Sequence, residues 1–544
     1  MANDQIHPRV LVIDDEDRVR EDLQAIFEPL GYEVKVASGS NNTLLDNAKS
    51  LARQFRPHVA IVDLRLLLND DPTDRSGFKL LKELDPTRCI LYSAYINPET
   101  SRQLSDLKAA GWIGKEEPPQ MLVDMVNKIA MESSAAQKKF EIEKNSISFE
   151  QISHTLLGGD TTVPPYMIED ILCQMFHDIP GINIQTISGA VKTPTSVNRG
   201  RSAILKVKRK DKIEPIVVKV AMEDDISKEY QNYKKYIDGN LRGSFNAILK
   251  GEPQIFWDMG AIVYNFLGSP DQNMSEFSRF YQKEQDSDAI LKPLQTFFRE
   301  VWHGLYDEKK EIATSLYSAY EINLGLQKRL ISFPDQSERR TFRGLSANLL
   351  NPVTWVLQHK MDSTIVDAHQ AITHGDLHGD NMFVDDTHAW VIDFERSGWG
   401  HILRDFTELE VDILTRLAWK KDDKDPREFF YLLTCLSDPN FFGAVPDPTD
   451  QLKNEELRKA FNVIKGLRSL AKEITKFNDF REYAWSLLFD SVFVATHTEE
   501  EEHQHERALL YGSVLCSCLQ YQGNEWPPEE WNSSLIRSPD KESP

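Results

Sequence analysis

Along the first 130 residues, short apolar runs alternate with stretches whose apolar positions recur at helical spacing. The run Val10-Leu11-Val12-Ile13 closes on Asp14 and Asp15. After it, Val19, Leu23, Ile26, Phe27 and Leu30 fall on one helical face, Arg18, Glu21 and Asp22 are left for solvent, and Gly31 ends the segment. Further strands are predicted at Tyr32 to Ala37, His58 to Leu64, Cys89 to Ser93 and Trp112 to Lys115. Five strands alternating with five helices predict a doubly wound α/β fold built on a five-strand parallel sheet.

From Met121 the last helix of this block is predicted to run on through Ala135-Ala136-Gln137-Lys138-Lys139, where polar helix formers replace the apolar pattern. Gly158-Gly159-Asp160 and Pro164-Pro165 mark a joint before a helical stretch from Tyr166 to Phe176. Residues 131 to 180 are thus expected to be a helical linker, and a second domain is expected over 181 to 521. Its first part reads as β-hairpins, Ile182 to Ile187, Ser202 to Lys208 and Pro215 to Ala221, then a helix from Ile226 to Ile237; the far half reads as mainly helical. Residues 522 to 544, rich in Pro, Ser and Glu, read as a flexible tail.

Charge narrows the partners. Lys plus Arg total 63 against 85 for Asp plus Glu, a net −22, which repels both nucleic acid and anionic lipid. Neither is expected as a main partner. Five cysteines, Cys89, Cys173, Cys435, Cys516 and Cys518, have no paired metal spacing, which fits a reducing compartment and a cytoplasmic location. The polar Asn3-Asp4-Gln5 after Met1 is unlike a secretory segment, and no apolar run approaches the roughly 20 residues that cross a bilayer.

Candidate chemistry sits where predicted strands end. Asp14, Asp15, Asp63, Ser93 and Lys115 each follow an apolar run, and in a parallel sheet ligands collect at the carboxyl ends of strands. In type, order and spacing these positions resemble the receiver domain of two-component response regulators. The resemblance implies that Asp63 is the phosphoacceptor, that Asp14, Asp15 and Asp63 hold Mg²⁺ with the Arg65 carbonyl, and that Ser93 and Lys115 contact the phosphoryl oxygens. It also makes Trp112 the aromatic switch residue, and implies a histidine kinase or other phosphodonor as partner, with a homodimer possible. Two departures are Glu116 where a proline is common, and a longer stretch from Asp63 to Gly77.

A second constellation lies in Ile372-Thr373-His374-Gly375-Asp376-Leu377-His378-Gly379-Asp380-Asn381 and the following Trp390-Val391-Ile392-Asp393-Phe394-Glu395, read as loop, strand, turn, strand. Asp376 and Asn381 are five positions apart, an interval that lets one loop offer a carboxylate to a hydroxyl and an amide oxygen to a metal. Upstream, Lys219 stands in the apolar run Val217 to Val220, and a lysine there calls for a fixed anion. These segments resemble the aminoglycoside phosphotransferase and choline kinase branch of the protein-kinase-like fold, an α+β bilobal domain with a mainly helical C-lobe. The resemblance implies ATP and Mg²⁺ as cofactors, with Asp376 the catalytic base, Asn381 and Asp393 metal ligands, Lys219 on the phosphates and Glu229 its partner. Tyr264, Asn265 and Phe266 become the adenine hinge, and His374 and Asp405 brace the loop. A compact glycine-rich pattern is missing between Gly189 and Gly200.

The chain as a whole is therefore expected to be a response regulator controlling transfer of ATP phosphate to a hydroxyl acceptor that the sequence does not identify. Two alternatives remain. One is a kinase-like signalling scaffold that binds partner proteins or nucleotide without turnover. The other is a metal-dependent hydrolase using the alternating His374, Asp376, His378 and Asp380. The run with His497, Glu501, His503 and His505 reads as a solvated face and is assigned no metal.

Overall fold

The computed structural model describes the chain except residues 1–7, 69–70, 72, 86, 96–108, 134–140, 145–147, 158–164, 177–178, 187–201, 213, 242–247, 266–273, 346–347, 420–425, 440, 442–446, 478, 498–501, 522–525, 529–530 and 532–544. It divides into two compact units. The first comprises Met1–Thr186, Arg201–Ser227 and Gly251–Val263; the second comprises Ile187–Gly200, Lys228–Lys250 and Tyr264–Pro544. Expected features on the glycine-poor loop 189–200, on Phe266, on Glu501 and on most of the tail lie outside the described residues.

The first unit opens with five parallel strands, β1 (Arg9–Ile13), β2 (Glu33–Val36), β3 (Val59–Val62), β4 (Arg88–Ser93) and β5 (Gly111–Gly114), in the order β2-β1-β3-β4-β5. Val10 pairs with Val59 and Ile13 with Val62, so β1 and β3 end side by side. Strand order reverses there, and this is the point of a doubly wound sheet where a crevice opens beyond the strand ends. Helices Asp17–Phe27, Asn41–Phe55, Ser76–Glu83 and Pro119–Ser133 cover the sheet; a further one, expected between β4 and β5, falls on residues 96–108, outside those described. Val10, Val12, Leu23, Phe27, Val59, Ile61, Ile90, Leu122 and Val126 share one core, each contributing about 1.5–3 kcal/mol by burial.

Gly77 has no room for a side chain. Its N–H donates to Leu64 O at 2.9 Å, and a Cβ would stand 2.1 Å from Asp63 O. The long stretch before it is tied by one carboxylate: Asp74 accepts from the N–H groups of Leu67, Leu68 and Ser76 at 3.0, 2.9 and 2.8 Å.

A second sheet in this unit has the order β10-β11-β9-β8-β7-β6, with β6 (Glu141–Lys144), β7 (Gly181–Thr186), β8 (Ser202–Arg209), β9 (Ile216–Met222), β10 (Gln254–Phe256) and β11 (Met259–Asn265). The hairpins read from the sequence are β7, β8 and β9, antiparallel in turn. Within the stretch expected to be helical, residues 141–144 instead pair parallel to β7. Glu143 at this edge takes Asn183 Nδ2 at 3.0 Å and Lys210 Nζ at 2.9 Å, so the edge strand is finished by charge. Helices Phe149–Leu157 and Pro165–Phe176 follow β6, the latter burying Met167, Ile168, Ile171 and Leu172.

The second unit is largely helical. Two small strand sets position its loops: Met382–Val384 pairs antiparallel with Ala389–Val391, and His369–Thr373 with Gly398–His401. At the turn of the first pair Asp385 Oδ1 accepts from Thr387 N and His388 N, both at 2.7 Å. Long helices Glu455–Thr475, Phe480–Thr496 and Glu502–Gln520 meet around a fully buried ion pair. Arg468 Nε lies 2.9 Å from Glu410 Oε2, and Tyr483 and Tyr511 hydroxyls donate to the same carboxylate at 2.9 and 2.8 Å.

Removing one partner of such a pair strands a charge in the interior. Glu410→Ala is expected to destabilise the second unit by about 3–5 kcal/mol in urea unfolding, while the double change Glu410→Leu/Arg468→Met restores most of the loss. A loss in the single variant well below about 1 kcal/mol would show that the pair is hydrated rather than buried.

Candidate functional site

Asp14 follows β1 and Asp63 follows β3, so the register of these two strands brings both carboxylates to one end of the sheet. Lys115, just beyond β5, reaches both: its Nζ lies 2.8 Å from Asp14 Oδ2 and 3.1 Å from Asp63 Oδ2. The other Asp63 oxygen accepts from Leu64 N at 2.6 Å. Ser93 is buried at the end of β4, its Oγ taking Tyr95 N at 3.4 Å, and its carbonyl accepts from Lys115 N at 3.2 Å. Trp112 is exposed on β5.

Negative charge is crowded here. Burial, opposed by Lys115 and reinforced by Asp63, pushes the Asp14 carboxyl up to about 6. Burial and then Asp63 also raise Asp15, whose Oδ1 is buried with no hydrogen-bond partner. Ligand oxygens of Asp14, Asp15 and Glu16 lie within 4.8 Å of one another. An orphaned carboxylate oxygen beside two other acids is a donor set that a hard divalent cation takes. Among the described residues, this is the one group of His, Cys, Asp and Glu so arranged.

In the second unit, residues 374–381 form a loop between strand His369–Thr373 and strand Met382–Val384. One helix, Arg404–Asp412, holds this loop by its backbone. Asp405 accepts from His374 N at 3.0 Å, Gly375 N at 2.9 Å and the Tyr306 hydroxyl at 2.7 Å. Glu408 accepts from Leu377 N at 2.9 Å, and Asp412 from Gly379 N at 2.9 Å. Positions 405, 408 and 412 lie on one helical face, so successive carboxylates meet successive loop amides. Gly375, at φ +77°, has Arg396 O 2.5 Å from where a Cβ would be, so only glycine fits there.

The loop presents Asp376 and Asn381 together. Asn381 Nδ2 donates to Asp376 O at 2.9 Å and to Asp376 Oδ2 at 3.3 Å, which leaves its amide oxygen as the atom able to meet a cation. Asp376 Oδ1 takes Arg396 Nη1 at 2.9 Å. Burial alone would raise the Asp376 carboxyl, but Arg396, His378, His374 and Arg404 hold it well below the usual carboxylate range. Asp393 comes back to this end because Met382 pairs with Val391, and Ile392 N donates to Asn381 O at 3.1 Å. Its backbone is left-handed, φ 72°, a conformation non-glycine residues rarely take outside functional or strained sites. His374 is buried, which lowers its pKa, and its Nε2 lies 3.0 Å from Ile392 O.

The remaining predicted residues divide between the units. Lys219 is buried on β9, opposite Ile204, in the first unit. Glu229, Tyr264 and Asn265 belong to the second. Glu229 is fully buried, accepting from the Tyr264 hydroxyl and from Phe394 N at 3.2 Å. Asn265 is tied to Ile248, N to O at 3.0 Å and Oδ1 to N at 2.5 Å. Of the alternating set His374, Asp376, His378 and Asp380, His378 Nε2 lies 3.9 Å from Asp376 Oδ2, but the four form no metal-holding group among the described residues: Asp376 pairs with Arg396, and Asp380 with Arg416 at 3.1 Å. Sequence reasoning passed over Arg396, Glu408 and Asp412. The carboxylate spacing after Asp405 was the available signal for the last two.

The N-terminal sheet and helices have the doubly wound, five-strand parallel topology expected from the sequence. Solved structures similar to this part include chemotaxis protein CheY4 of Vibrio cholerae, 22% identical over 23% of this chain and 99% of that one with a TM-score of 0.20. Others are the signal receiver domain of a modulated diguanylate cyclase from Desulfovibrio desulfuricans G20 (21%, 23% and 94%, TM-score 0.20) and a response regulator from Thermotoga maritima (19%, 23% and 98%, TM-score 0.20). No curated protein matches the chain. Among the described residues no helix is long and apolar enough to cross a membrane. Residues 198–339 and 338–497 match the model of the family described as Ternary complex associated domain 9, and since this is more than half of its length the chain belongs to that family.

Proposed function

We propose that the chain is a response regulator in which phosphorylation of Asp63 controls a phosphotransferase in the remainder of the chain. The observation that carries the second half is the clamp on loop 374–381, which fixes an ionised Asp376 beside Asn381 and close to the turn bearing Asp393.

At the receiver, Asp63 attacks a phosphoryl group from a histidine kinase or other phosphodonor. Asp14, Asp15 and Asp63, with the Arg65 carbonyl, are the groups to hold Mg²⁺, which when bound offsets the like charge of carboxylate and phosphate. Lys115 then exchanges its contact with Asp63 for the new dianion, and the Ser93 hydroxyl donates to it.

In the phosphotransferase, ATP supplies the phosphoryl group and Asn381 and Asp393 are the ligands for its Mg²⁺, which neutralises phosphate charge when bound. Asp376 accepts a hydrogen bond from the acceptor hydroxyl and aims its oxygen at the phosphorus. A carboxylate held this far below the usual range is a weak base, so its contribution is mainly orientation, with the proton passing to it late. Tyr264 and Asn265 keep the nucleotide role assigned from the sequence. A scaffold reading draws on one observation, the Arg396 pair that already occupies Asp376.

Acetyl phosphate should label the wild-type chain at one site and leave Asp63→Ala unlabelled; equal labelling of the variant would remove Asp63 as acceptor. For the second activity, Asp376→Asn should lower transfer from labelled ATP into a cell extract by about 10²- to 10⁴-fold while Mg²⁺-dependent nucleotide binding changes little. Transfer at the wild-type rate in that variant, or none from the wild type, would favour the scaffold.

A further inference from the structure

The amino-terminal edge of the receiver sheet, opposite the acidic pocket, ends in a buried charge cluster with the carboxylate of Asp170 at its centre. Both Asp170 oxygens are engaged by the receiver sheet: Oδ2 takes Arg9 Nη2 at 2.7 Å, and Oδ1 lies 3.0 Å from His58 Nε2. Arg9 N also meets His58 Nδ1 at 2.9 Å, which fixes the ring. Asp170 is fully buried, and Arg9 and His58 nearly so. Asp170 belongs to helix Pro165–Phe176, far along the chain from either partner.

Contacts around the cluster extend it in two directions. Arg9 stacks over Tyr166 of the same helix at 4.4 Å, and His58 stacks on Phe256 of β10 with centroids 5.9 Å apart. Arg56 pairs with Asp258 at 2.8 Å, in the turn between β10 and β11. Gln174, one turn beyond Asp170 on the helix, accepts from Gln254 Nε2 of β10 at 2.9 Å. In sheet order β10 is followed by β11 and then β9, the strand of Lys219. On the receiver side, Arg9 opens β1, whose far end is followed by Asp14, and His58 precedes β3, whose far end is followed by Asp63. Each strand spans roughly 15 Å and is buried along its length.

We propose that Asp170 is the transmission contact of the first unit: it couples occupancy of the Asp14–Asp63 pocket to the six-stranded sheet, through β1 and β3 on one side and helix Pro165–Phe176 on the other. This rests on the reading of Asp63 as phosphoacceptor. A carboxylate shared between two strands responds to their relative displacement, because a shift of either one lengthens a buried charged hydrogen bond that no water can replace. Coupling through such a contact is reciprocal, so loosening it at Asp170 must alter affinity at the pocket.

The test uses the full chain and beryllofluoride with Mg²⁺ as the phosphoryl probe. In the wild type, probe binding should change amide-hydrogen exchange in residues 165–176 and 254–263. In Asp170→Asn, and in Arg9→Met/Asp170→Leu, which replaces the charges by apolar groups and so guards against misfolding, that change should vanish and probe affinity should shift about fivefold or more. Wild-type affinity together with an unchanged exchange response in the double variant would overturn the coupling while leaving the receiver reading intact. No probe binding by the wild type, with no acetyl phosphate labelling, would instead remove the Asp63 reading and the coupling with it.

Discussion

A buried carboxylate without a cation or a set of N–H donors is among the costliest features a fold can carry, and this acidic chain buries many. Its architecture depends on how each is answered. Glu410 is met by Arg468 and two tyrosines, Asp170 by Arg9 and His58, Asp380 and Asp412 by Arg416, and Asp405 by backbone amides. Where the answer is complete the carboxylate is structural. At Asp14 and Asp15 the answer falls short: burial raises both carboxyls and Asp15 Oδ1 has no hydrogen-bond partner, features that the buried Asp490 shares.

That distinction separates the two candidate sites. At the N-terminal sheet, Lys115 is shared by Asp14 and Asp63, one ammonium against a cluster of carboxylates. Such a pocket favours taking up positive charge. At Asp376 the surrounding charges overcompensate instead. A carboxylate in that setting stays ionised through the physiological range.

Much of the receiver was legible because its strands are buried on both faces and therefore read as unbroken apolar runs, as in Val10 to Ile13 and Val59 to Val62. The ends of those runs gave Asp14 and Asp63 directly. β6 was hidden, since Glu141-Ile142-Glu143-Lys144 carries one apolar residue and gains strand structure only by pairing with β7. Glu408, Asp412 and Asp170 were hidden for another reason. On a helix, an acid facing a loop amide or a distant arginine has the same spacing as one facing water, and only tertiary contacts distinguish them. Lys219 was flagged by its apolar neighbours, and it is buried.

The clamp on loop 374–381 sets what a sequence change there can do. Because Asp405, Glu408 and Asp412 each hold main-chain N–H groups, the loop's path is indifferent to most of its own side chains, and Gly375 is required by the approach of Arg396 O. Glu408 lies among Arg404, Asp376 and Asp405, and burial raises its carboxyl pKa. The neutral form still accepts from Leu377 N through its carbonyl oxygen, so protonation weakens this point of the clamp without breaking it. Helix Arg404–Asp412 thus holds the loop through three separate carboxylates, and a loss at any one leaves the other two in place.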